Sequence, residues 1–150
     1  MSSARQEPTI RLHVWLETDD EVFFGAGRAL LLLKIEEHGS LSKAAEDLGM
    51  SYRAAWGKIR RTEKVLGLKL IARNGCKKGG HRLTEHGLFL TQRYLLWFHE
   101  IERWACVKAR EIFPWPVRSY KERVRDTTLE FLIALSISLS PMETLIEAVM

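Results

Sequence analysis

Basic side chains are concentrated in one stretch of the sequence, residues 51–82. This stretch carries ten lysines and arginines against a single acid, whereas the whole 150-residue chain has a net charge of only +4. Such a density of cations suits the phosphates of a polyanion, and an arginine can also donate two hydrogen bonds to one guanine edge. The pattern therefore predicts binding to nucleic acid.

The sequence lacks the motifs of the common catalytic sites. It contains no HExxH, GxSxG or GxxxxGK[ST] pattern, which would supply metal ligands, a nucleophile or a phosphate-binding loop. Cys76, His81 and His86 are close in sequence, but a structural zinc site usually takes four ligands. We therefore expect no enzyme activity, no metal site and no cofactor.

Two short helices must position the first half of the basic stretch. Their patterns end at Gly49 and Gly67, and Ser51 can cap the second helix. Two helices joined by a tight turn that contains glycine are typical of a helix-turn-helix. The second helix would then be the recognition helix, whose N-terminal residues reach base edges in the major groove.

A wing and a long helix are predicted to follow. The sequence LKLIAR is strand-like, and the glycine-rich, basic segment 74–82 after it indicates a hairpin tip. Thr84 can cap a helix from about residue 85 to 113, which Pro114 ends. Apolar residues cover more than one stripe of this helix, so we expect part of it to face a second subunit.

Upstream of the helices, alternating apolar residues over 9–16 predict a half-buried strand that ends in the acidic stretch 17–21. The predicted fold class is mainly α with a small β wing. It is a winged helix-turn-helix preceded by an N-terminal strand and followed by a long dimerisation helix.

The candidate DNA contacts come from the start of the first short helix, from the recognition helix and from the wing. Arg53, in the first turn of the recognition helix, is the candidate for a bidentate contact to guanine. Trp56 has two open interpretations, a core aromatic residue or a contact to the sugar-phosphate backbone. The candidate residues are Ser40, Ser42, Lys43, Ser51, Tyr52, Arg53, Trp56, Lys58, Arg60, Arg61, Arg73, Lys77, Lys78, His81 and Arg82. The candidate dimer contacts are Leu95, Phe98, Ile101 and Trp104.

The segment GSLSKAAEDLGMSYRAAWGKIRRTEKVLGLKLIAR, followed by GGHRLTEHG, resembles the N-terminal DNA-binding domain of ModE-type, molybdate-responsive transcription regulators. LysR-type regulators share a looser version of the pattern. The resemblance covers about residues 8–113 and implies a winged helix-turn-helix whose flanking helices form a homodimer. Residues 114–150 are too short for the molybdate-binding domains of that family, so we expect no molybdate binding.

These observations predict a sequence-specific, DNA-binding transcription regulator in two parts, a domain at 8–113 and a tail at 114–150. The alternative is a winged helix that binds only proteins, since fold alone does not assign function. The longest apolar run, 131–139, is about half the length that spans a bilayer. No secretory signal is evident and the two cysteines form no disulfide framework, so we expect a cytoplasmic location.

Overall fold

The computed structural model of the chain describes residues 7–75 and 79–119. The elements in this part of the chain are β1 (Thr9–Ile10), β2 (Trp15–Thr18), β3 (Glu21–Gly25), α1 (Ala26–His38), α2 (Leu41–Asp47), α3 (Tyr52–Leu66), β4 (Ile71–Arg73), β5 (His81–Leu83), α4 (Glu85–Ile112) and β6 (Arg118–Ser119). Two compact units are present. One is His13–Phe98, and the other comprises the described parts of Met1–Leu12 and His99–Met150.

The helix-turn-helix forms where the sequence predicts it, and a serine caps each of its two helices. The Ser40 hydroxyl accepts a hydrogen bond from the Lys43 amide at 3.3 Å, and the Ser51 hydroxyl accepts one from the Ala54 amide at 3.1 Å. Each bond satisfies an amide that the first turn of a helix leaves unpaired. Gly67 ends α3 in the left-handed region, with φ of 66°, which glycine adopts without steric cost.

The core of the His13–Phe98 unit lies between α1, α2, α3 and the wing. Its centre consists of side chains with almost no exposed surface: Phe24, Leu31, Leu32, Ile35, Leu41, Ile59 and Leu70. Ala55 and Ile59 bring α3 to this core one turn apart, as helical periodicity requires. The opposite face of α3 is therefore left to solvent.

The wing is an antiparallel pair in which Ile71 faces Leu83 and Arg73 faces His81. Thr84 follows it and caps α4, because its hydroxyl accepts a hydrogen bond from the Gly87 amide at 3.1 Å. The fold class is thus confirmed, with a small wing between the recognition helix and a long final helix.

The prediction of one N-terminal strand over 9–16 was wrong in its extent. The structure has a short strand at Thr9–Ile10 and a separate antiparallel hairpin of β2 and β3. The middle of the acidic stretch forms the turn of this hairpin, with Asp19 and Asp20 at φ of 52° and 59°. Aspartate tolerates the positive φ that a tight hairpin turn requires, so these acids connect two strands.

In the other compact unit, β1 lies parallel to β6, with Thr9 opposite Arg118. An ion pair joins Arg118 to Glu7. The Arg110 guanidinium donates a hydrogen bond to the Val117 carbonyl at 2.8 Å, so the chain after α4 is attached to the last turns of that helix.

Two predictions fall outside the described residues, namely the wing-tip lysines Lys77 and Lys78 and the part of the predicted tail after residue 119. The domain boundaries at 8–113 and 114–150 stay a prediction. Within the described part of the chain, no helix combines the length and the apolarity needed to cross a membrane.

Candidate nucleic-acid interface

The outward face of α3 carries a row of aromatic and cationic groups. The rings of Tyr52 and Trp56 are stacked, with centroids 6.4 Å apart and planes inclined by 8°. The Arg60 guanidinium lies 5.2 Å from the centre of the Trp56 ring. Because Tyr52, Trp56 and Arg60 follow one another at intervals of four residues, they share one side of the helix.

Trp56 also connects this row to the wing. Its ring centroid lies 6.2 Å from that of His81 in β5, and 36% of its surface is exposed. The side chain is therefore not a core residue, which was one of its two interpretations. It stands where the recognition helix and the wing meet, and part of the indole surface remains free for a partner.

The predicted basic contacts of α3 divide into two groups. Arg53, Lys58 and Arg60 are all exposed, and Arg60 also makes an ion pair of 3.2 Å with Glu63. Arg61 instead makes an ion pair of 2.7 Å with Glu21 in β3 and is only 28% exposed. Its guanidinium thus binds the β2–β3 hairpin.

At the start of α2, Ser42 and Lys43 are exposed. The Ser40 hydroxyl is occupied as the helix cap, so the exposed Ser42 and Lys43 side chains are the groups available to a phosphate here. In the wing, Arg73 and Arg82 are exposed. The structure therefore brings the three predicted groups of contacts into the His13–Phe98 unit.

Two carboxylates that the sequence analysis did not single out hold the wing in place. The Glu63 carboxylate in α3 accepts hydrogen bonds from the Leu70 amide at 2.9 Å and from Lys69 and Arg60 at 3.2 Å. The Glu36 carboxylate in α1 accepts one from the Leu83 amide at 2.9 Å. The residue before β4 is thus attached to α3, and β5 is attached to α1.

Glu63 is almost fully buried, with 6% of its side chain exposed. Burial raises the pKa of its carboxyl, but the hydrogen bonds from Leu70, Lys69 and Arg60 outweigh burial, and the pKa is lowered overall. Glu63 is therefore ionised at neutral pH. The signal in the sequence was its position, since it is the one acid among the ten basic residues of 51–82.

Close backbone contacts also fix the wing. The His81 amide donates to the Gly39 carbonyl at 2.9 Å, and a Cβ on Gly80 would lie 2.7 Å from that same oxygen. A Cβ on Gly87 would lie 2.1 Å from the Leu70 carbonyl oxygen. Glycine at these two positions lets α4 and the wing approach their neighbours more closely than any side chain allows.

The four predicted dimer contacts differ in what they touch. Leu95 and Phe98 are partly buried and pack against the core of their own unit, which leaves little of their surface for a partner. Ile101 is half-buried. Trp104 is 63% exposed, and Val107, one turn further along α4, is also exposed.

No group of three or more potential metal ligands occurs within residues 7–75 and 79–119. Cys76, one of the three residues considered for a metal, lies outside these ranges.

Comparison with known proteins agrees with the described geometry. Residues 28–88, from α1 to the first turn of α4, match the sequence model of the bacterial regulatory helix-turn-helix proteins of the lysR family. The resemblance to ModE-type and LysR-type regulators is confirmed. The matched range contains both helices of the helix-turn-helix and the wing.

Three curated relatives are similar to the same half of the chain. The DNA-binding transcriptional dual regulator ModE of Escherichia coli is 35% identical over 81 residues, which are 53% of this chain and 31% of ModE. The molybdenum transport protein ModE of Azotobacter vinelandii is 33% identical over 53% of this chain and 30% of its own length. The molybdenum-pterin-binding protein MopB of Rhodobacter capsulatus is 38% identical over 47% of this chain and 27% of MopB. The chain thus spans less than a third of the length of these relatives.

Among solved structures, the chain is similar to the DNA-binding domain of CbnR in a complex with DNA, with a TM-score of 0.48 and 18% identity over 58% of this chain and 97% of that one. The DNA-binding domain of BenM, in a complex with catB site 1 DNA, gives a TM-score of 0.44 and 20% identity over 56% of this chain and 90% of that one.

Proposed function

We propose that this chain is a DNA-binding transcription regulator that reads a specific sequence through α3. The observation that carries the proposal is the outward face of α3. Arg53 and Arg60 are exposed there, and the stacked Tyr52 and Trp56 border them. A helix of this kind fits the major groove of duplex DNA, and regulators such as ModE of Escherichia coli carry a similar segment.

In this proposal each group of residues has a separate task. Arg53, in the first turn of α3, donates two hydrogen bonds to a guanine, which gives sequence preference. Lys43 at the start of α2 and Arg73 and Arg82 in the wing neutralise phosphates, which gives affinity but little sequence preference. The Trp56 ring contacts the sugar-phosphate backbone where α3 and the wing meet.

We further propose that the regulator is a homodimer formed through α4. Trp104 and Val107 lie one turn apart and are both exposed, and exposed apolar residues grouped in this way mark protein interfaces. Two recognition helices would then enter major grooves one or more helical turns apart on a pseudo-palindromic site. Trp104→Glu should give a monomer in sedimentation equilibrium, and a wild-type chain that stays monomeric at high micromolar concentration would refute the dimer.

The molybdenum compounds in the names of the relatives are not assigned to this chain. The match to ModE and MopB covers less than a third of each of them. We therefore propose DNA binding alone for this chain, in the cytoplasm where the DNA lies.

A DNA-binding titration at several salt concentrations tests the proposal. Neutralising six or more phosphates gives a slope of log affinity against log salt of about −5 or steeper. After selection of a preferred sequence, Arg53→Ala should weaken binding to it by about 1–3 kcal/mol and relax preference at one base pair.

Lys34→Ala is the matched control. It also removes one positive charge, but the Lys34 ammonium is already paired with Glu37 and Asp47. Equal losses for Arg53→Ala on all sequences would make Arg53 a phosphate contact. Absence of binding even at low salt would leave the alternative, a winged helix that binds proteins.

A further inference from the structure

Gly57 occupies an unusual place in the recognition helix. Five residues of α3 precede it and nine follow it, so it belongs to the interior of the helix and caps neither end. Glycine in a helix interior is destabilising relative to alanine, because it loses more conformational freedom on folding. A position of this kind therefore needs a compensating reason.

Packing within the protein does not supply that reason. A Cβ on Gly57 would meet no atom within 4 Å. This distinguishes it from Gly87, which is also in a helix but where a Cβ would collide with the Leu70 carbonyl. It also differs from Gly67, whose positive φ ends α3. Neither close packing nor backbone conformation accounts for glycine at residue 57.

The surroundings of Gly57 indicate what approaches it. It is exposed and lies on the same side of α3 as Arg53, four residues before it, and Arg60, three residues after it, both of which are also exposed. Trp56 borders it with a partly exposed ring. The backbone of α3 is therefore uncovered at the middle of the face that carries these cations.

We propose that Gly57 is the point of closest approach between α3 and DNA, where the absence of a side chain lets the base edges of the major groove touch the helix backbone. Non-bonded carbon atoms rest about 3.5–4 Å apart. A methyl group inserted into such a contact would push the helix outward and displace Arg53 and Arg60 from their partners. This inference rests on the proposed function and makes Gly57 a positioning residue of the interface.

Gly57→Ala tests the proposal in the whole 150-residue chain. The substitution should raise the thermal unfolding midpoint by about 2–4 °C and reduce affinity for the selected duplex at least tenfold. Since no charge is lost, the salt slope should stay unchanged. Gly57→Leu should reduce affinity further.

Gly27→Ala is the matched control. Gly27 lies in α1, and a Cβ there would also meet nothing within 4 Å, so this variant should bind DNA like the wild type. Wild-type affinity of Gly57→Ala, or a lower unfolding midpoint for it, would overturn the inference while leaving DNA binding intact. A wild-type chain that binds no duplex would overturn the proposed function and the inference together.

Discussion

Replacing Glu63 by glutamine should loosen the link between the recognition helix and the wing. Glutamine has nearly the same shape, and its carbonyl oxygen can still accept a hydrogen bond from the Leu70 amide, which the carboxylate accepts at 2.9 Å. It loses the negative charge, however, and with it the ion pairs to Lys69 and Arg60. The substitution therefore separates the contribution of the charge from that of packing.

The size of the effect follows from the exposure of each partner. Lys69 and Arg60 are more than half exposed, and exposed ion pairs contribute about 0–1 kcal/mol each. A hydrogen bond to a charged group contributes about 1.5–3 kcal/mol, against about 0.5–1.5 kcal/mol for a neutral one. Glu63→Gln should therefore lower the free energy of unfolding by about 1–3 kcal/mol at pH 7.

The difference should depend on pH in a defined direction. The pKa of Glu63 is lowered from its ordinary 4.5 in the folded protein, so its stabilising effect is fully present above that ordinary value. The effect is lost as the pH falls through the lowered pKa of the folded state. The stabilities of the wild type and Glu63→Gln should then converge in acid.

Denaturant unfolding of both proteins between pH 7 and pH 3 measures the difference directly. Glu37→Gln is the control, because Glu37 is exposed and its pair with Lys34 should contribute less than about 0.5 kcal/mol. Equal stability of Glu63→Gln and the wild type at pH 7, or a loss that does not change with pH, would refute the reasoning.

Two further substitutions test the local geometry. Gly87→Ala adds a Cβ that would lie 2.1 Å from the Leu70 carbonyl oxygen, so α4 must shift. The free energy of unfolding should fall by about 1–3 kcal/mol, and an unchanged thermal unfolding midpoint would contradict the contact. Ser51→Ala removes the cap that binds the Ala54 amide and should lower the free energy of unfolding by about 1 kcal/mol. The control Ser42→Ala, at an exposed position inside α2, should lower it much less. Equal losses of stability in denaturant unfolding would argue against the capping role.

The local signals of the helix-turn-helix were sufficient to predict it from the sequence. Ser51 and Gly67 are the observed start and end of α3, because capping and left-handed glycine depend on a few neighbouring residues. The concentration of cations in 51–82 likewise needs no structure to be seen. These local features indicated both the fold class and the candidate DNA-binding face.

Contacts between residues distant in sequence were decided by the tertiary structure. The turn at Asp19 and Asp20 became visible only when β3 paired with β2, since a short acidic stretch is compatible with the end of a strand or with a turn. Arg61 belongs to a basic helix face by its position, yet it pairs with Glu21, forty residues earlier in the chain.

The same distinction applies to α4 and to the wing. Helical periodicity groups Leu95, Phe98, Ile101 and Trp104, but the core of the protein takes up Leu95 and Phe98 and leaves Trp104 exposed. In the sequence, Glu63 is distinguished only as one acid in a basic segment. In the structure α3 packs beside the wing, and the Glu63 carboxylate is buried against the Leu70 amide. Sequence determined the helix-turn-helix and the long helix after it, because their signals are local. Packing determined how the N-terminal strands pair and which side chains remain available to a partner.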